Sequence, residues 1–431
     1  MSVEKNLRKF ILTNVCAMVG LSCYILADTF FISIAEGTKG ITTLNLTMPI
    51  YNLMFAIGSM IGIGSATGYA FQKAKKSREA DFYFFDSIFF TLVISVVFII
   101  LGILCPEKVL GLMGADSEIA VLGKGYLRIA MVFAPCFMLN YTFTAFVRND
   151  FAPALAMTAT FVSSFTNIVL DYLFMFPLKL GMRGAALATG MSPVISIAIC
   201  STHFLSKKNT IRFHWHRPSI ISIVKSCELG IVAFVGEIST GITTTVFNFI
   251  TLGLAGNVGV AAYGVITNIA LVSTYIFNGV SQGLQPLASE AHGKNNKEDK
   301  KRIFRESLMI GVVLAMIIIL LVEIFAEQCV GIFNSEHSEE LAAYAVTGLK
   351  LYIIGFLFAA INIISAGFLS ATDCAKSSSL IAIMRGLVAI TGFAFLLSEL
   401  FGMRGVWLTF PVTEVFTLAI TWFVLRRKKQ K

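Results

Sequence analysis

Apolar runs of about 20 residues recur along this 431-residue chain, separated by short polar stretches. A helix of that length crosses about 30 Å of hydrocarbon. The pattern predicts twelve spans, over residues 10–34, 44–70, 86–105, 119–144, 154–177, 183–206, 226–252, 258–288, 307–329, 341–370, 378–399 and 402–425. The expected fold class is an all-α polytopic membrane protein. One run is interrupted in its middle. "NIVLDYLFMF", residues 167–176, sets Asp171 between Ile168, Val169 and Leu170 on one side and Leu173, Phe174 and Met175 on the other.

The polar stretches alternate in charge. One set carries Lys5, Arg8 and Lys9, then Lys73, Lys75, Lys76 and Arg78, then Lys207, Lys208, Arg212, Arg217 and Lys225, then Lys294, Lys297, Lys300, Lys301, Arg302 and Arg305, and finally Arg426, Arg427, Lys428, Lys429 and Lys431. The other set carries only Lys39, Lys108, Lys124, Lys179, Arg183 and Arg404. An excess of Lys and Arg marks cytoplasmic loops, so both termini are expected in the cytoplasm of a protein of the cell membrane.

The pattern also repeats. "GMRG" occurs at 181–184 and at 402–405, an offset of 221, and Gly58 and Gly62 match Gly279 and Gly283 at the same offset. This predicts two six-helix halves of the same orientation, an N-lobe over 1–206 and a C-lobe over 226–431, joined by a basic linker over 207–225. Parallel repeats of this kind are a transporter architecture with the binding site between halves.

Composition supports the reading. The chain is 56% hydrophobic and 14% charged, whereas soluble domains are about 45–50% apolar and about 25% charged. The net charge of +9 sits in loops, which topology explains better than nucleic-acid binding. Eight scattered cysteines, with no CxxC pair, read as small buried hydrophobes. The five histidines lack metal-ligand spacing, so no metal framework or other cofactor is expected. The basic start, MSVEKNLRKF, has no clear cleavage site and reads as the entry to the first span.

Charges inside spans are rare and usually functional. Asp28, Asp171 and Thr189 each lie about six residues from the outer end of their spans, and Tyr126 about seven, which places all four roughly 9–10 Å deep. Asn167 shares a helix face with Asp171 by its i,i+4 spacing. Two carboxylates in a low dielectric either share a proton or hold a small cation such as Na⁺. Two bland alternatives stay open: the acids lie in wet helix ends, or Asn and Thr serve as interhelical glue. Glu237 and Glu414 fall near mid-membrane and are candidates for a substrate cavity, while Glu323 falls near a span end. The offset places Val388 and Gly392 opposite Asn167 and Asp171, so the ion site belongs to the first half alone.

Several stretches resemble the multidrug and toxic compound extrusion (MATE) transporters. "NIVLDYLFMFPLKLGMRGAALAT", 167–189, looks like their signature, and "ADTFFIS", 27–33, like their first-helix motif. "GSMIGIGSA", 58–66, and "GVSQGLQPLASEAHG", 279–293, resemble their Gly-rich motifs, and "FGMRGVWLTFPVTE", 401–414, their last-helix motif. The resemblance implies twelve helices in two lobes, alternating access, and export of cationic or amphipathic organic compounds against inward H⁺ or Na⁺. In related prokaryotic members the coupling ion sits on residues matching Asp28, Asn167, Asp171 and Thr189, with Tyr126 nearby. The loop 71–80 lacks the family's usual Gly, and Glu237 lacks a convincing partner for a C-lobe acidic pair.

The expected partners are therefore small organic cations and the lipid bilayer, with the protein acting as a monomer. Phe151, Phe161, Phe277 and Met157 are candidate apolar contacts in the cavity. A lipid-linked sugar flippase of the same fold is the rival reading, but it needs several basic groups in its cavity, and only Arg128, Lys350 and Arg385 stand near. An intramembrane enzyme is disfavoured because the histidines fall near loops or span ends. A channel fits one asymmetric ion site less well than alternating access does.

Overall fold

The computed structural model describes residues 3–77, 79–113, 117–207, 209–333 and 338–429. Arg78, Lys208 and Lys431 of the basic set lie outside them. Every regular element among the described residues is helical. In the first half these are α1 (Val3–Ala74), α2 (Ala80–Leu104), α3 (Pro106–Leu112), α4 (Ser117–Val132), α5 (Ala134–Asn149), α6 (Pro153–Met175) and α7 (Gly181–Ser201). The second half holds α8 (Ile220–Gly293), α9 (Lys297–Phe333), α10 (Glu339–Ile353), α11 (Gly355–Ala371), α12 (Ala375–Ile383) and α13 (Ala389–Lys429), with a π-helical turn, Met384–Val388, between the last two.

Three helices are too long for one crossing. At 1.5 Å per residue the 72 residues of α1 would extend about 108 Å. It instead holds two apolar spans, Lys5–Glu36 and Leu46–Ala74. α8 breaks at Ala255 and Gly256, and α13 breaks at Gly402. By length and composition eight helices qualify as spans, or ten when two bent pairs are each counted as one. Twelve are not reached on that criterion; the stretch Ala375–Arg426 is counted once, although the break at Gly402 divides it.

The duplication is visible in the backbone. α4 and α5 meet at a bend of 43°, with Phe133 between them, and α10 and α11 meet at 44°, with Ile354 between them. Those hinge residues are 221 positions apart, the offset seen in the sequence. Pro135 in the first turn of α5 cannot donate to the preceding helix, which fixes the first bend. The two GMRG motifs do the same work twice. Gly181 and Gly402 both adopt positive φ, +51° and +57°, where a side chain is strained. Gly184 then packs on the backbone of Phe174, and Gly405 on the backbone of Leu397, so each motif turns the chain and lays the next helix against the last.

Apolar packing forms two large clusters, one drawn from Ile32 through Ala186 and the other from Phe247 through Phe410. Between the halves the helices touch through glycine. A Cβ on Gly279 would lie 2.7 Å from Val15 Cα, and one on Gly283 2.7 Å from Ile11 Cα. Gly64 meets the backbone of Ser226, and Gly230 that of Met60. Gly58 and Gly62 instead pack inside their own half, on Met138 and Thr142, so positions equal in sequence serve different interfaces.

The outer face is apolar. α2 exposes Val93, Val96, Val97 and Ile100, and α9 exposes Met316, Ile317, Leu320, Leu321 and Ile324. Contiguous apolar surface of this extent fits lipid contact. The cysteines correct one expectation, because Cys200 is buried whereas Cys16 and Cys23 are exposed on the first span and five others are half-buried.

The linker lies against the first half, held by two carboxylates. Asp150, just past α5, accepts from the Thr210 amide at 2.8 Å, pairs with Lys73 at 2.5 Å and lies 2.8 Å from His203 Nε2. Asp86 of α2 accepts from the Ser219 amide at 3.2 Å and lies 3.0 Å from His216 Nε2. Ser219 then caps α8 by accepting from the Ser222 amide.

Candidate functional site: a carboxylate cluster beside a cavity

Asp171 follows Asn167 by four residues on α6, so both side chains leave the same helix face, and both are fully buried. Thr189 of α7 faces them. Oriented so that both ends find partners, the Asn167 amide donates to Asp171 Oδ2 at 3.2 Å and accepts from the Thr189 backbone N–H at 3.3 Å. Asp28 of α1 interacts electrostatically with Asp171. Tyr126 of α4 is buried edge-on to Tyr51, with ring centroids 6.1 Å apart, and both rings sense the two acids. The structure thus gathers all five residues of the sequence-derived cluster into one neighbourhood.

The cluster leaves several oxygen atoms open. Asp28 Oδ1, Asp171 Oδ1 and Thr189 Oγ1 are all buried without a hydrogen-bond partner. Buried polar atoms in proteins are nearly always satisfied, and those left open mark a place for water, a proton or an ion. Two acids with open oxygens, flanked by an amide and a hydroxyl, offer what a hard cation or a shared proton requires.

A cavity of about 110 Å³ adjoins the cluster. Thr189 and Tyr24 both line it, and Tyr24 sits one turn before Asp28 on the same face. Its walls come mostly from the first half, with Tyr275 and Gln282 contributed by α8. Tyr141, also in the wall, donates to Glu237 Oε1 at 3.2 Å. Glu237 therefore stands beside the cavity as a second acidic group, separate from the cluster.

Glu414 does not join this arrangement. Its Oε1 is 2.6 Å from Arg385 Nη2, and its Oε2 accepts from Asn362 at 2.8 Å. Asn362 in turn accepts from Thr421 at 2.8 Å. The ion pair ties α11, the π-helical turn and α13 together, and Glu414 is not among the cavity-lining residues. Of the candidate apolar contacts, Met157 lines the cavity; Phe277 is instead buried against Phe356, Phe151 packs on Phe10, and Phe161 is exposed. Sequence reasoning missed Tyr24, Tyr51 and Arg148. The i,i+4 relation to Asp28 was the available signal for Tyr24.

The MatE family model matches residues 15–173 and 231–395, covering both halves and the Asp28, Asn167 and Asp171 positions. The chain belongs to the MATE family. MATE members are transporters, and this one is a multi-pass, all-helical membrane protein. Its relatives include the multidrug export protein MepA of Staphylococcus saprophyticus, 27% identical over 408 residues, covering 94% of this chain and 89% of that protein. MepA of Staphylococcus aureus is 27% identical over 391 residues, covering 89% and 84%. In fold the chain matches an outward-facing multidrug resistance MATE transporter at a TM-score of 0.93, with 20% identity over 99% of this chain and 96% of that one. It matches a MOP superfamily transporter from Pyrococcus furiosus at 0.92, with the same identity and coverage.

Proposed function

We propose that this MATE transporter exports cationic or amphipathic organic compounds by alternating access, in exchange for H⁺ or Na⁺ taken up at Asp28, Asn167, Asp171 and Thr189, with Tyr126 as a flanking group. The observation that carries the reading is the pair of buried, unpartnered oxygens on Asp28 and Asp171 beside the cavity. Facing outward, the acids take up the cation, their repulsion relaxes, and the helices carrying them repack to release the substrate. Facing inward, the cation leaves and substrate binds. Coupling requires that ion and substrate favour different states. Glu237, bonded to the wall residue Tyr141, adds negative charge beside the cavity for a cationic substrate. In this reading the N-lobe is 1–206, the C-lobe 226–431, the linker 207–225 is cytoplasmic with both termini, and one chain is the working unit. The separate apolar clusters support two lobes, and the lipid-facing belt and basic loops support the topology.

The test is efflux of a fluorescent organic cation from proteoliposomes under separately imposed pH and Na⁺ gradients. One gradient should drive efflux; if neither does, antiport is wrong. Asp171→Asn should abolish efflux while folded protein persists, and Asp28→Asn should leave efflux unresponsive to the gradient. Normal gradient response in both variants would remove the site.

A further inference from the structure

The cavity wall carries one charge of the opposite sign. Arg148, in the last turn of α5, is 4% exposed and lines the cavity. Its Nη1 donates to Gln282 Oε1 at 2.7 Å and to Asn14 Oδ1 at 3.4 Å, and its Nε has no partner. Both partners are neutral amides, contributed by α8 and α1. Among the described residues no carboxylate forms an ion pair with it; Asp150, two positions on, is held by Lys73, His203 and Thr210. Arg385, by contrast, is half-buried and has a carboxylate of its own. A guanidinium withdrawn from water without an anion is costly, and two amides offset that cost only in part. Its rigid fork of N–H donors matches a carboxylate.

We propose that Arg148 is the anion-recognition point of the substrate cavity, and that favoured substrates carry a carboxylate as well as a cationic group. The inference rests on the export reading above and narrows its substrate class to zwitterionic amphiphiles. Tyr141, the partner of Glu237, and Arg148 are seven residues apart on α5, a rise of about 10 Å. Glu237, held by one wall residue, and Arg148, in the wall itself, therefore stand about two helical turns apart along α5, and a substrate with a charge separation of that order engages both.

A matched pair of fluorescent probes tests this: a quaternary ammonium with a carboxylic acid about 10 Å away, and its methyl ester. Anisotropy titration of the purified full chain in detergent should show the acid binding about 10- to 100-fold tighter than the ester. In Arg148→Gln, which keeps an amide for Gln282 and Asn14, acid and ester should bind alike at the ester's level. Arg148→Lys, a point charge without the fork, should show an intermediate preference and serves if the Gln variant does not fold. Equal binding of acid and ester to the wild type overturns this inference and leaves the export reading standing. A preference that survives in Arg148→Gln overturns it too. Failure of both probes to bind the wild type would remove the export reading and this inference together.

Discussion

Asp150 shows how a buried carboxylate is kept ionised. Burial pushes its pKa up, but hydrogen bonds from Lys73, Thr210 and His203 outweigh burial and hold it below the usual carboxylate range. The stabilisation is present above the unfolded value of about 4 and is lost as pH falls through the lower folded value. Asp150→Asn should therefore lower stability by about 2–3 kcal/mol at pH 7 and flatten the acid limb of a pH series of thermal melts in detergent; an unchanged melt would show that this anchor is idle. Asp28 and Asp171 lack such donors on Oδ1, and that contrast separates a structural acid from a candidate ion site. Much of the latter was legible, because helical spacing links Asn167 to Asp171 and counting from span ends brings Asp28 and Thr189 to the same depth. Arg148 was hidden because the fourth span was drawn to residue 144, whereas α5 runs to Asn149. Glu414 was misplaced because its partner Arg385 lies 29 residues earlier on another segment, and no local pattern reports that pairing.

At the scale of elements, hydropathy located the apolar runs but not their breaks. Two of those breaks rest on glycines with φ and ψ closed to other residues, Gly256 at +59° and −151° and Gly402 at +57° and −137°. Gly402 has no neighbour near a would-be Cβ, so Gly402→Ala should cost only backbone strain, about 1–3 kcal/mol. Gly181→Ala should cost more, since a Cβ there also meets the Glu36 carboxylate. Thermal unfolding of both variants checks the order, and equal losses would mean the contact at Glu36 yields freely. The repeated GMRG was readable as a duplication, while its reason, a positive-φ turn followed by a close helix contact, required coordinates.

For the whole molecule, the offset of 221 predicted two like halves, and the paired bends at Phe133 and Ile354 repeat it in three dimensions. The offset could not say that Gly279 and Gly283 cross to the other half while Gly58 and Gly62 stay home, because a duplicated sequence loses symmetry through its contacts. The linker adds a second asymmetry. Thr210 and Ser219 are fastened to Asp150 and Asp86, both in the first half, although the segment leads into the second. The covalent join is thus backed by a non-covalent clip. Two polypeptides, 1–206 and 207–431, produced together should reassociate, the second gripping the first by its N-terminal tail. Co-purification through a tag on one fragment checks this, and Asp86→Asn with Asp150→Asn should weaken capture without altering either fragment's membrane insertion. Such a chain could be cut at its midpoint and still be one protein.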